Sequence, residues 1–132
     1  MLKDLFILGC SAAFIGGFIT GESAFADNTD LNAQVNCLAD NIYWEARNQP
    51  TKGMIAVALV TRNRVLDDRY PDTYCAVVEQ GPTRPSWKDP SKYYPIRNRC
   101  QFSWFCDGKS DKVPEFDLDV YELAMIIAFK VM

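Results

Sequence analysis

The stretch Val35-Asn36-Cys37-Leu38-Ala39-Asp40-Asn41-Ile42-Tyr43-Trp44-Glu45-Ala46-Arg47 decides how this chain folds. Val35, Leu38, Ala39, Ile42, Tyr43 and Ala46 recur at steps of three and four residues. That is the period of an α-helix with one face turned to a core. Asn48-Gln49-Pro50 ends the helix. Upstream, the pattern begins at Leu31, and residues 27–30 are polar and read as loose.

A second helix is expected over about 51–66. Met54 to Val60 is apolar on every side, as in a buried central helix. A buried strand has the same composition, but the length and the alanines favour helix. Asp67, Asp68 and Pro71 mark a turn, and a short helix is expected from Thr73 to Gln80. Pro82, Pro85, Pro90 and Pro95 then punctuate a long irregular segment of the kind that is functional or mobile. Residues 100–105 alternate and carry aromatics, which reads as a short β element, and Asp107-Gly108 as a turn. Pro114 sits where a helix can begin, and Val120 to Met132 is strongly periodic, with Tyr121, Ala124, Met125, Ala128, Phe129 and Met132 on one stripe. The fold class is therefore mainly α, an α+β domain with a minor β part.

Composition bounds the chemistry. At 132 residues there is room for one core. The formal net charge is -3, with no basic run, so phosphate-backbone binding is not the main function. The chain has no histidine, which excludes Ser-His-Asp or Cys-His catalysis and His-ligated metal. General acid–base work then falls to a carboxylate, Lys, Tyr or Cys.

The amino terminus reads as a secretory signal over residues 1–26. Lys3 precedes an apolar run from Leu5 to Ile19, and Ala24-Phe25-Ala26 is a small-x-small cleavage pattern before Asp27. A retained anchor and a lipoprotein signal ending at Cys10 are the alternatives. Export agrees with the cysteines. Cys37, Cys75, Cys100 and Cys106 remain after cleavage, an even number with three possible pairings. Cys37–Cys75 with Cys100–Cys106 is the favoured pair of disulfides. A four-thiolate zinc site lacks its two C-x-x-C knuckles, so no metal or other cofactor is expected.

Glu45 is the candidate for acid–base chemistry. It falls seven residues after Leu38 and three after Ile42, and so continues the apolar seam near the helix C-terminus. Burial and the negative end of the helix dipole both raise a carboxyl pKa. A carboxyl held protonated can donate a proton to a leaving group, as in glycosidic cleavage. A structural ion pair with Arg47, Arg62 or Arg64 is the competing reading, and on helical position alone it is the more common arrangement. Trp44, Trp87, Tyr93, Tyr94, Phe102 and Trp104 include enough aromatics to stack on sugar rings, although most such residues are core.

Three segments resemble the SleB-type cell wall hydrolases: Cys37 to Arg47, Gly53 to Ala58 continuing through Asn63-Arg64-Val65 and Tyr70 to Thr73, and Cys100 to Trp104 ending at Cys106-Asp107-Gly108-Lys109. They follow the family's order and cover most of residues 27–132. The resemblance implies a domain similar to lysozyme and lytic transglycosylases that cleaves peptidoglycan glycan strands between N-acetylmuramic acid and N-acetylglucosamine. It implies Glu45 as the catalytic residue, and Tyr43, Asn63, Gln101, Phe102 and Ser103 as the substrate-binding set. For Asn63 a plain helix–helix hydrogen bond is equally open. The family continues past the position of Met132 through a Gly-Ala-Thr-rich segment with a Tyr, so a C-terminally truncated domain is expected. Lytic transglycosylase action is favoured over hydrolysis, because Asp40, Asp107 and Asp111 all read as solvated surface. The competing class is a secreted glycan-binding domain without activity. A monomer is expected, with membrane contact only through the signal.

Overall fold

The computed structural model describes residues 23–132, with side chains described from residue 30 onward. Four helices carry the fold: α1 (Ser23–Ala46), α2 (Thr51–Val65), α3 (Tyr74–Val78) and α4 (Leu118–Val131). An antiparallel pair, β1 (Thr83–Pro85) and β2 (Tyr93–Pro95), lies between α3 and a 3-10 turn at Ser103–Cys106. A second 3-10 turn, Glu115–Asp117, leads into α4. The helix-dominated α+β class expected from the sequence is the one found.

Helix α1 is the centre of the molecule. It packs on α4, α2 and α3, and Val35, Leu38, Ala39, Ile42, Tyr43 and Ala46 are all buried. The periodic stripe thus marks the buried face residue for residue. The helix begins earlier than its periodicity implies and runs through residues 27–30, which are not a loose lead-in. It also crosses the expected cleavage point after Ala26. The signal reading itself rests mostly on residues 1–22, outside the described residues. No helix among the described residues is long and apolar enough to cross a membrane.

Helix α2 is not the buried central helix its composition suggests. Met54, Ala58 and Thr61 are buried, while Ile55, Leu59 and Val60 are exposed. Only one face meets neighbours, and the rest of its apolar surface stays open. In α4 the buried set is Ala124, Ile127 and Ala128. Phe129 and Met132, expected on the core stripe, are exposed, and Ile127 takes the inward position.

Local chemistry sets the breaks. Pro50 caps α2, its carbonyl accepting from the Gly53 and Met54 amides at 2.7 and 3.3 Å. Thr73 caps α3, its Oγ1 accepting from the Ala76 amide at 3.3 Å, an arrangement worth about 1 kcal/mol. The turn expected at Asp107-Gly108 is present, with Gly108 at φ +80°, a left-handed conformation that suits glycine.

The β element expected around 100–105 is absent. That segment is irregular and ends in the 3-10 turn, because the Cys100–Cys106 disulfide closes it into a short loop. The only strands among the described residues lie in the proline-rich segment read as irregular, where Thr83, Arg84 and Pro85 pair with Pro95, Tyr94 and Tyr93. Both expected disulfides are present, Cys37–Cys75 joining α1 to α3. All four cysteines among the described residues are paired in these two bonds. On the chain-entropy account the 38-residue span stabilises by about 4 kcal/mol and the six-residue span by about 2 kcal/mol.

Candidate active site

Glu45 is the penultimate residue of α1, where the apolar seam runs out from under its neighbours. It lines a groove of about 270 Å³ with Ala56, Val57 and Val60 of α2 and Phe102 of the disulfide loop. All four partners are apolar, so nothing in the groove wall solvates the carboxylate. The residue is open to solvent on its outer side, yet crowding by these neighbours pushes its pKa up from the ordinary glutamate value. The seam therefore does not bury Glu45, as its spacing implied, but delivers it to the mouth of a hydrophobic groove.

The ion pair that competed for Glu45 does not form. Among the described residues, no salt bridge or side-chain hydrogen bond engages it. The guanidinium of Arg47 turns to Asp117, 3.7 Å away, and lies over the Trp44 ring at 5.0 Å. That of Arg64 lies over Phe102 at 5.1 Å and Tyr70 at 5.5 Å. Arg64 thus backs the phenyl ring that forms one wall of the groove, a cation–π contact of about 0.5–1 kcal/mol or more when desolvated.

Of the expected sugar-binding residues, the structure brings only Phe102 to Glu45. Gln101 and Ser103 flank it and are exposed. Gln101 lines a different and larger hollow of about 510 Å³ with Gln80, Gly81, Pro82, Arg99 and Cys100. That hollow contains no carboxylate, and the smaller groove is the better candidate on chemistry. Tyr43 requires correction. It is fully buried, donating its hydroxyl to Asp117 Oδ2 at 2.7 Å and accepting from Arg47 at 3.1 Å, so no face is free for a sugar. Asn63 is exposed and makes no side-chain hydrogen bond among the described residues.

The role suggested for Asn63 falls instead to Asn41, which is fully buried. Asn41 donates to Thr61 Oγ1 at 3.0 Å and accepts from Trp104 Nε1 at 2.9 Å. One amide therefore ties α1 to α2 and to the 3-10 turn that follows Phe102, holding together the three elements that build the groove. Its clue in the sequence was a polar residue directly before Ile42 on the buried side of α1. Of the exposed acids considered as partners, Asp40 is in fact half-buried and accepts from the Tyr121 hydroxyl at 2.8 Å. Burial raises its pKa, against the lowering effect of that hydrogen bond. Asp107 binds the Lys109 amide at 2.7 Å. Among the described residues no second carboxylate lines the Glu45 groove. The indoles of Trp44 and Trp104 stack on each other at 6.3 Å, which places them in the scaffold behind the site.

The profile of the family described as Cell Wall Hydrolase matches residues 48–130. It takes in α2, Phe102 and α4, and begins three residues after Glu45. Neither a curated protein nor a solved structure matches the chain. With well over half of its length matched, and with the helical α+β fold expected for it, this chain belongs to the SleB-type cell wall hydrolase family, whose members act on peptidoglycan.

Proposed function

We propose that the chain cleaves the bond between N-acetylmuramic acid and N-acetylglucosamine as a lytic transglycosylase, with Glu45 as both acid and base. The observation that carries this reading is the unpaired carboxyl of Glu45 in an otherwise apolar groove, its pKa raised by burial. Protonated Glu45 gives its proton to the bridging oxygen as the bond from that oxygen to C1 of muramic acid breaks. The resulting carboxylate then takes the proton of the muramic 6-hydroxyl, whose oxygen attacks C1. The products are a 1,6-anhydromuramic end and a free 4-hydroxyl, and Glu45 is protonated again. That Glu45 is the one carboxylate lining the groove among the described residues supports this route over hydrolysis, which uses a second acid as nucleophile or to activate water.

Phe102, a largely buried ring backed by Arg64, meets the sugar only where it lines the groove in this scheme, and Gln101 and Ser103 contact the strand beyond it. The sequence of residues 1–26 supports export to the envelope, where the substrate lies and disulfides persist. Glu45→Gln is expected to lower product release from purified peptidoglycan by about 10²–10⁴-fold with binding retained. Mass spectrometry of the wild-type products is expected to find anhydro ends. Reducing ends would assign hydrolysis to the same glutamate, and an inactive wild-type chain that still binds glycan would leave a binding domain.

A further inference from the structure

The hairpin built on β1 and β2 has a composition that folding does not require. Trp87 is 87% exposed and Tyr93 65%, so neither ring contributes much buried area to the fold. Residues 84–99 hold five basic side chains, Arg84, Lys88, Lys92, Arg97 and Arg99, against one acid, Asp89. Of these, Arg84, Lys88, Lys92 and Asp89 lie on the hairpin itself, a local charge of +2 in a chain of formal charge -3, so the hairpin is cationic in a chain that is acidic as a whole.

The projection is also well held. Gly81 lies so close to Cys100 that a Cβ would come within 2.9 Å of the Cys100 Cα, which lets the two ends of the segment meet at the disulfide. The Gln101 amide donates to the Gln80 carbonyl at 2.8 Å and the Ile96 amide to the Pro82 carbonyl at 2.9 Å. At the tip, Ser86 Oγ accepts from the Lys88 and Asp89 amides, and Asp89 Oδ1 accepts from Ser91. The tip encloses a groove of about 430 Å³ lined by Arg84, Pro85, Ser86, Trp87, Lys88 and Tyr94. Lys88 Nζ lies 5.1 Å from the centre of the Trp87 ring. Flat rings beside cations on a braced arm fit a ligand that offers both apolar faces and negative charge.

We infer that this hairpin is a second wall-binding surface, which grips peptidoglycan through sugar faces on Trp87 and Tyr94 and through stem-peptide carboxylates on Arg84 and Lys88. The inference rests on the peptidoglycan reading of the Glu45 groove. Binding at the hairpin raises the effective concentration of glycan at that groove. Attraction between exposed charges is screened by salt, so retention on the wall weakens as ionic strength rises.

The test uses full chains carrying Glu45→Gln, so that the wall survives, pelleted with sacculi freed of phosphate polymers. Trp87→Ala with Lys88→Ser is expected to weaken binding about tenfold, and removal of the stem peptides with an amidase is expected to weaken binding of the parent similarly. In chains that keep Glu45, the same double change is expected to slow digestion of insoluble sacculi and to leave digestion of short soluble glycans unchanged. Equal binding by parent and variant would overturn the inference. So would undiminished binding to stem-free glycan, or binding confined to phosphate polymers, anionic vesicles or nucleic acid. Loss of all cleavage with hairpin-dependent binding intact would instead count against Glu45 alone.

Discussion

Helices α1 and α2 are neighbours of similar apolar content, yet their surfaces meet opposite fates. In α1 apolar and polar residues alternate with the helical period, and every apolar position of the stripe is buried. In α2 seven consecutive residues from Met54 to Val60 are apolar, and only Met54 and Ala58 among them are buried. A patterned helix announces its buried face, whereas an unpatterned one leaves the choice to its neighbours. The open flank of α2 is also where the site lies. Ala56, Val57 and Val60 face the Glu45 groove, so part of the surface left out of the core supplies the low-polarity wall that pushes the carboxyl pKa up. Ile55 and Leu59, which lie on the other flank, have no such use in the structure.

Truncating each helix tests this contrast most sharply. Leu38→Ala on α1 is expected to destabilise the chain by about 2–5 kcal/mol, since it leaves a cavity among fully packed residues. Leu59→Ala on α2 should change stability by under about 1 kcal/mol. Denaturant titration of both variants reads the difference, and equal losses would mean that α2 is covered in solution. The two asparagines give a smaller contrast. Asn41→Leu leaves Trp104 Nε1 without its acceptor and Thr61 Oγ1 with only its bond to the Val57 carbonyl, so a loss of about 1–3 kcal/mol is expected. Asn63→Leu should fall within about 0.5 kcal/mol of the parent.

The smallest expected effect is a shift in pH dependence. The folded-state pKa of Glu45 lies above its unfolded value, so between the two the native state binds more protons. Its contribution to stability is therefore favourable on the acid side and is lost as pH rises through the folded pKa. Activity that needs the protonated acid falls over the same rise. Val60→Ser makes the groove wall more polar, which should move the alkaline limb of the pH–rate profile to lower pH with little change in its height. A limb that stays put would mean that α2 does not set the acidity of Glu45.

Much of this molecule could be read without coordinates, for identifiable reasons. Helix spans follow from spacing along a few turns, so all four helices lie close to where the sequence put them, except that α1 starts earlier, at Ser23. Cysteine parity implied two disulfides, and of the three possible pairings the favoured one is formed. Glu45 stood out because it interrupts an apolar seam, a local feature. The misjudged residues depend on partners far along the chain. Tyr43 looked like part of a cleft until its hydroxyl met Asp117, 74 residues away. Asn41 had no visible role until it met Trp104, 63 residues away. The hairpin was hidden by its prolines, which suit a two-stranded edge as well as a loop.

Residue order alone was enough to settle the helical period of α1, the class of fold, the exclusion of histidine chemistry and the position of a carboxyl at the edge of an apolar stripe, because each depends on neighbours within about two turns or on composition. Three-dimensional packing decided that α1 rather than α2 occupies the centre, that Arg47 and Arg64 find partners other than Glu45, and that Phe102 lines the groove beside it. Those outcomes depend on which surfaces reach each other once the chain is compact, and burial of one helix face is always settled by what lies opposite.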